Sequence, residues 1–528
     1  MKQIGRGSWI DTEALRALKK KEEVGRPLED LLRTESGLGA SGFPHIGSFA
    51  DASRNYIIKL AAEDLGHKAE YIAYADDMDG LRKVPMGLPA SLEEYLGMPV
   101  TSIPDPFECH DSYGAHMSSL LLEALDDWEI EYTHLSAREM YRTGVFVNQL
   151  ETIFRNAAKV GQIVHEVTGQ ERYTEVLPYH AICGGCGRIY TTHVTGFDLE
   201  KHTVSYRCAG TEIRGRELPG CGYTGTADYT TDQGKLNWKV EFAARWAGLH
   251  IDFEAHGKDI LDSVRVNDRI CRDILGTDPP YHVVYEMFLD PAGVKISKSL
   301  GNVLTPQVWR RYGSQESLLL LCFKRVQGTR FVGVNDIPRY MMELDNLEKL
   351  YFGKMKEPNP ARKRKLTALY EYCRLLKPPA KMPLHIPYQL LVNLISIAPS
   401  ELVDSFVQEK LRDYGYLKDE VLAGLDDRIE NAKNWVQDFH QLEVEPVELT
   451  KTERSAILDL IGRLEKNGDE QTIQHTIFQV ARSHSINPKT FFRLLYRILL
   501  GQQSGPRLGK YIFHLGPTRV VKVLKNSL

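Results

Sequence analysis

The run Pro44-His45-Ile46-Gly47-Ser48 has residue types suited to holding a phosphate. It follows a glycine-punctuated turn, SGLGASGF, and the apolar spacing beyond it predicts that a helix begins here. A helix start presents unpaired backbone N–H groups and the positive end of the helix dipole. Gly47 would let a nucleotide approach the backbone closely, His45 would donate to a phosphate oxygen, and Ser48 lies in the same turn. About 250 residues later comes Lys295-Ile296-Ser297-Lys298-Ser299, just after a predicted strand and a Pro-Ala-Gly turn. Charge building on an α-phosphate and a departing pyrophosphate is stabilised by cations that can move with it. Lys295 and Lys298, with Ser297 between them, suit that task. Each segment alone has a plain structural reading, a histidine at a helix start and an exposed basic loop. Together they point to nucleotidyl transfer.

Two further clusters have the chemistry of metal ligands. Cys183-Gly-Gly-Cys186-Gly187 forms a knuckle, with Cys208 and Cys221 downstream. Four thiolates are a usual structural zinc set, and glycines beside them let backbone N–H groups reach the sulfurs. The second half is Cys-x12-Cys rather than Cys-x2-Cys, which leaves room for one ligand to be displaced. Asp105, Cys109, His110 and His116 offer a carboxylate, a thiolate and two imidazoles within twelve residues. Eight cysteines in 528 residues are too few for a disulfide framework. Cys271, Cys322 and Cys373 sit in apolar contexts and are expected as buried thiols.

The elements that must position these residues alternate. A strand near Leu31–Arg33, a helix from Ile46, a strand over Ala69–Ala75, a helix over Met117–Asp127 and a strand near Tyr132–Leu135 predict a parallel sheet with helices on both faces. Ligands in such sheets bind beyond the carboxyl ends of the strands. Residues 178–228, rich in Gly, Thr, Tyr and Cys, read as an inserted β-rich module. The expected organisation is an α/β Rossmann-like catalytic domain over 1–335, carrying that zinc-binding insert, and an all-α domain over 336–528. The chain carries a net −4, yet from Arg482 onward there are nine basic residues and no Asp or Glu. An acidic body with a basic end suits docking of a polyanion. No stretch approaches the ~20 apolar residues of a membrane span, and the first residues lack a signal-peptide core, so a cytoplasmic protein is expected.

His-x-Gly early and Lys-Ile-Ser-Lys-Ser late, on an α/β background, resemble the class I aminoacyl-tRNA synthetases. Ser48 departs from that pattern, standing where a second histidine is usual. The blocks SGLGASGFPHIGSFAD, DDMDGLRKVP, KLNWKVEFAARW, HGKDI and GPRLGK narrow the resemblance to the class I lysyl-tRNA synthetases. The resemblance implies ATP with Mg²⁺, L-lysine and tRNA(Lys) as partners, transfer to the terminal 2′ hydroxyl, and a helical anticodon-binding domain. It also implies zinc at the Asp105–His116 cluster and a lysine pocket formed by Ser36, Gly37, Trp238, Glu241, His256 and Tyr285. Glu241 and Trp238 share a helix face at i and i+3, so together they would offer a carboxylate for the ammonium and an aromatic wall for its stem. A glutamyl, cysteinyl or arginyl enzyme of the same class stays open at this level, as does an inactive RNA-binding paralogue. Oligomeric state is not fixed, with a monomer favoured.

Overall fold

A computed structural model describes residues 5–171, 176–294, 304–383, 386–398, 403–417, 425–439, 448–464, 469–500 and 507–528. Its centre is a five-stranded sheet in which every pairing is parallel. The strands lie in the order Tyr281–Tyr285, Phe253–Gly257, Leu32–Leu38, Ala69–Ala75, Thr133–Ser136. The order therefore reverses at Leu32–Leu38, and the crevice between it and Phe253–Gly257 is the topological switch point. These two strands pair only at Thr34 and Phe253 and then separate. Asn55 takes up the backbone groups that the separation would strand. Its Nδ2 donates to the Ala255 carbonyl (3.2 Å) and its Oδ1 accepts the Ala255 N–H (2.7 Å). A buried side-chain amide thus replaces one rung of the sheet and holds the crevice open.

The helix Ile46–Asp64 packs across three of these strands, Leu32–Leu38, Ala69–Ala75 and Phe253–Gly257. Of the residues at helical spacing, Ile46, Phe49, Ser53, Tyr56, Ile57 and Ala61 are buried and Leu60 is half-buried, but Arg54, Asn55 and Lys59 are buried too. A helix buried nearly all round must satisfy its polar residues internally.

The segment 178–228 is β-rich. Tyr179–Ala181 pairs antiparallel with Gly234–Leu236, and Thr192–Asp198, Thr203–Cys208 and Thr224–Asp228 form a three-stranded antiparallel sheet. Val194, Val204 and Tyr206 of this insert pack in one core with Ile72 and Tyr74 of the central sheet and with Val240 and Phe242 of the helix Trp238–Leu249.

Contacts divide the chain into two compact units, one of residues 1–389 with 422–431, the other of 390–421 with 432–528. The helices Ile337–Tyr351 and Pro360–Cys373 belong to the first, so the helical region expected from residue 336 is shared between both. Described residues of the second unit include the helices Lys451–Leu464, Glu470–Ser483, Pro488–Leu500, Leu508–Leu515 and Pro517–Asn526, which bury a core of their own. Phe491 and Tyr511 lie in that core, whereas Phe513 and the basic residues Arg482, Lys489, Arg493, Arg497, Lys522 and Lys525 are exposed. No helix among the described residues is long and apolar enough to cross a membrane.

Candidate active site

The switch-point crevice opens into a cleft of ≈ 330 Å³ at the carboxyl ends of the strands. Of the residues singled out from sequence, His45, Gly47, Ser48, Gly37, Trp238, His256 and Tyr285 line it. Segments more than two hundred residues apart thus meet on one cavity.

His45 is the N-cap of its helix, and its Nδ1 accepts the Ser48 N–H (3.2 Å). With Nδ1 accepting, a neutral ring carries its hydrogen on Nε2. The amide cradle expected here is narrower in the structure. The Ile46 N–H donates to the Leu304 carbonyl (2.8 Å) and the Ser48 N–H to His45, which leaves Gly47 as the amide of this first turn without such a bond among the described residues. Glycine is needed at position 47 because a Cβ would lie 2.7 Å from His45 Cε1 and 2.8 Å from its Nδ1. The His-x-Gly spacing is therefore a packing requirement, in which the imidazole folds back over the residue two positions on.

Ser36 and Glu241 do not line the cleft. The Ser36 hydroxyl is bonded to the Tyr71 hydroxyl (2.6 Å). Glu241 accepts from Tyr141 (3.0 Å) and pairs with the buried ammonium of Lys235 (2.7 Å), which also meets Asp79 (2.7 Å). The i,i+3 argument joining Glu241 to Trp238 over one ligand does not describe this arrangement, because the first turns of Trp238–Leu249 are buried on more than one face. Glu241 points to an internal partner while Trp238 faces the cavity.

The acids on the cavity wall are others. Asp51, Asp76, Glu254, Asp259 and Glu286 line it, against the guanidiniums of Arg54 and Arg245. Arg245 is already engaged with Glu35 (2.7 Å), Asp76 (3.0 Å) and Glu254 (4.0 Å), and lies over the Tyr74 and Phe242 rings. Arg54 lies 4.3 Å from the Tyr285 ring centre. Burial pushes Asp51 up to about 7 against the pull of the Tyr285 hydroxyl and Arg54, and burial also raises Asp76 and Glu254. Carboxylates in excess of cations make this a cavity suited to a cationic guest. His256 adds a complementary acceptor. Burial lowers its pKa to about 4, so the ring is neutral, and its Nδ1 is bonded to the Gly257 carbonyl (3.1 Å). Its buried Nε2 is then a bare lone pair, with no hydrogen-bond partner among the described residues. Asp51 and Arg54, missed from sequence, stand four and seven residues beyond Gly47. That helical spacing was the available signal.

Lys295, Ser297 and Lys298 lie outside the described residues. The described chain before them borders the cleft, and the chain after them meets the helix start beside it. Met287 and Phe288 line the cleft, and Leu304 is bonded to the first residue of the His45-capped helix.

Both candidate metal clusters have their ligand atoms within 4.8 Å of one another. Cys183 and Cys221 sulfurs are 3.6 Å apart and those of Cys186 and Cys208 3.8 Å. Four sulfurs at ~2.3 Å from one zinc would be about 3.8 Å apart in a tetrahedron. The Gly185 and Cys221 N–H groups donate to the Cys183 and Cys208 sulfurs (3.4 and 3.3 Å), as thiolates require. In the other cluster the Cys109 sulfur is 3.2 Å from Nδ1 of both His110 and His116, and Asp105 Oδ2 is 3.3 Å from His116 Nδ1. Cys271, Cys322 and Cys373 are buried free thiols, as expected.

A lysine–tRNA ligase of Cenarchaeum symbiosum (strain A) is 44% identical over 532 residues, covering 99% of each chain. Lysine–tRNA ligases of Rickettsia bellii (strain OSU 85-389) and Rickettsia prowazekii (strain Madrid E) are each 32% identical, covering 94% and 95% of this chain and 93% of their own. Residues 7–375, which carry the sheet, the cleft and both cysteine-bearing clusters, match the family described as tRNA synthetases class I (K). The chain belongs to the class I tRNA synthetases of that lysine-type family.

Proposed function

We propose that this chain is a lysine–tRNA ligase, which activates L-lysine with ATP and transfers it to the terminal ribose of tRNA(Lys). The observation that carries the reading is the cleft, where the His45-capped helix start and an acid-rich wall with the bare His256 Nε2 face the same space. An anionic amino acid such as glutamate would meet five acidic side chains there, three of them already held back from ionising by burial, so the wall chemistry favours a cationic side chain.

Activation requires the lysine carboxylate to attack the α-phosphate in line while pyrophosphate departs. Gly37, Trp238, His256 and Tyr285 would hold lysine, with Trp238 covering its aliphatic stem. Ser36 and Glu241 would act behind that wall, Glu241 by keeping Lys235 and Tyr141 in place. Asp76 and Glu254 on the wall would supply carboxylates for the ammonium. ATP would lie against His45, Gly47 and Ser48, with the His45 Nε2 hydrogen and the Gly47 N–H as its donors. Lys295 and Lys298 would meet the β- and γ-phosphates, and Ser297 would assist them. Mg²⁺ bound with ATP would supply further neutralisation of the departing charge. The terminal 2′ hydroxyl of the tRNA then attacks the lysyl carbonyl and AMP leaves.

Zinc at Cys183, Cys186, Cys208 and Cys221 would be structural, as it would at Asp105, Cys109, His110 and His116. Each set would fix a segment that has little core of its own. The exposed basic face of the second unit would hold the anticodon arm through phosphates. With no candidate membrane span described, action in the cytoplasm is the natural setting.

Lysine-dependent exchange of pyrophosphate into ATP, measured with and without tRNA(Lys) and with metal content determined on the same sample, tests the reading. Exchange with lysine and not with arginine or glutamate is expected, and exchange with another amino acid alone would overturn it. Gly47→Ala should raise the KM for ATP about tenfold, the loss of about 1.4 kcal/mol, while lysine binding is kept. The added methyl displaces the His45 ring and with it the Ser48 cap, a cap worth ~1 kcal/mol. An unchanged KM would remove the His45 ring from the ATP site.

A further inference from the structure

The turn that delivers His45 to the cleft has few attachments of its own. Gly39 and His45, at its two ends, line the cleft. Among the described residues, no backbone–backbone hydrogen bond holds residues 40–44. The turn is held instead through side chains. Ala40 lies in a core with Leu81, Val100, Ile103 and Tyr113, and Phe43 packs against that core. The hydroxyl of Tyr113, a fully buried residue, donates to the Ser41 carbonyl (3.0 Å). That bond joins the turn to an element with no residue on the cleft wall, the helix Tyr113–Asp127.

Two supports fix the start of this helix. One is a close-packed floor. A Cβ on Gly114 would lie 2.9 Å from Val100 Cγ2 and 3.2 Å from the Thr101 nitrogen. The Val100 and Thr101 N–H groups donate to the Asp79 and Asp77 carbonyls (3.0 and 3.3 Å), which anchors the floor to the chain just beyond the strand Ala69–Ala75. The other support is the Asp105–His116 cluster. His116 stands one turn beyond Tyr113, and its Nδ1 is 3.2 Å from the Cys109 sulfur and 3.3 Å from Asp105 Oδ2. Residues 107–111 are exposed and contribute no core. Their shape rests on Asp105, which accepts the Phe107, Cys109 and His110 N–H groups (3.1, 3.0 and 2.9 Å), and on the Phe107 ring stacked 4.5 Å from that of His116. A metal bound by the four side chains would tie this exposed loop to the first turn of the helix.

Resting on the reading of this chain as a lysine–tRNA ligase, we propose that Tyr113 is a positioning residue for ATP, through which metal at Asp105, Cys109, His110 and His116 holds the turn that presents His45. The ring of His45 folds so closely over Gly47 that a single methyl would displace it, so a small shift of the turn alters the phosphate donors. Metal bonds to His116 fix the first helical turn, Tyr113 in that turn fixes the Ser41 carbonyl, and Ser41 stands four residues before His45. The metal then takes no part in the reaction, yet its occupancy reaches the ATP site. Trp238, His256 and Tyr285 stand on other elements, so the effect falls on ATP rather than on lysine.

The test uses the full chain with Tyr113→Phe, Cys109→Ser and the two combined. Tyr113→Phe keeps the ring in its core and removes only the donor. It should raise the KM for ATP in lysine-dependent pyrophosphate exchange about fivefold, the effect of one lost hydrogen bond, and leave zinc content and the KM for lysine unchanged. Cys109→Ser should lose about one equivalent of zinc and raise the KM for ATP at least as much. Adding Tyr113→Phe to it should raise that KM no further, because both changes release the same bond. Amide hydrogen exchange over residues 39–43 is a readout that needs no activity, and it should be faster in both single variants. Should Cys109→Ser not fold, zinc removed by a chelator takes its place, raising the KM for ATP in the unsubstituted chain and not in Tyr113→Phe. An unchanged KM for ATP in Tyr113→Phe, an equal rise in both KM values, or effects that multiply in the double variant overturns the proposal. Absence of lysine-dependent exchange from the unsubstituted chain would instead refute the ligase reading, and the hydrogen-exchange comparison would still decide whether the cluster holds the turn.

Discussion

Arg245→Met is expected to destabilise the first unit by about 3–5 kcal/mol, the usual cost of removing one partner from a buried ion pair. Arg245 is 1% exposed, and its guanidinium is the cation on which Glu35, Asp76 and Glu254 converge. Methionine can occupy much of the space beside Tyr74 and Phe242. It cannot stabilise three carboxylates removed from water, so the loss is electrostatic rather than a cavity. Burial already pushes Glu35 well above the ordinary carboxylate range with Arg245 in place, and the substitution raises it further. A carboxyl whose folded pKa is raised is most compatible with the fold below its unfolded pKa. Stability is lost as pH rises through the folded value. The gap between Arg245→Met and the unsubstituted chain should therefore widen from pH 5 to pH 8. Adding Glu35→Gln should recover part of it. Urea unfolding followed by tryptophan fluorescence at the two pH values measures this, and a gap of equal size at both would assign the loss to packing.

This network explains why some of the site was legible in the sequence and some was not. His45 and Gly47 could be read because helix start, glycine and histidine are local signals, and one turn brings them together. The strands Ala69–Ala75 and Thr133–Ser136 fall where the sequence placed them, since an apolar face is written into consecutive residues. The charge pattern of the cleft is not local. Glu35, Asp76, Arg245 and Glu254 come from three strand regions and a helix, and their mutual compensation exists only once the sheet is formed. Arg245, between Ala244 and Trp246, reads in isolation as a solvent-facing residue of an amphipathic helix. Glu241 misled for the converse reason. Helical spacing identifies which residues share a face, but not which faces find an internal partner. Lys235, six residues away on another element, decided that. The Cys208–Cys221 spacing was visible as an irregularity, yet its hairpin could be recognised only with the pairing of Gly210–Ile213 and Arg216–Pro219 in hand.

Lys298→Ala is expected to lower the rate of lysine activation by about 10²–10³, the scale set by removing one preorganised charge-stabilising donor from an active site. Activation needs no side-chain nucleophile. Its barrier lies in charge that accumulates on the α-phosphate and on the departing pyrophosphate, and an ammonium meeting that charge acts chiefly in the transition state. The wall of the cleft sets two guanidiniums against five acidic side chains, with Arg245 committed to three of the acids around it and Arg54 held against the Tyr285 ring and the Cys322 carbonyl. Cationic assistance to the phosphates must then come largely from residues beyond the described wall. Lys295 and Lys298 belong to a segment that follows Phe288, which lines the same space, and precedes Leu304, whose carbonyl accepts the N–H of Ile46 at the helix start. The defect should appear in kcat for pyrophosphate exchange more than in the KM for lysine. Single-turnover transfer from preformed lysyl-adenylate to tRNA should be nearly unchanged, since pyrophosphate has already gone. Equal slowing of both steps would place Lys298 in tRNA or adenylate binding, and undiminished exchange would remove it from the reaction.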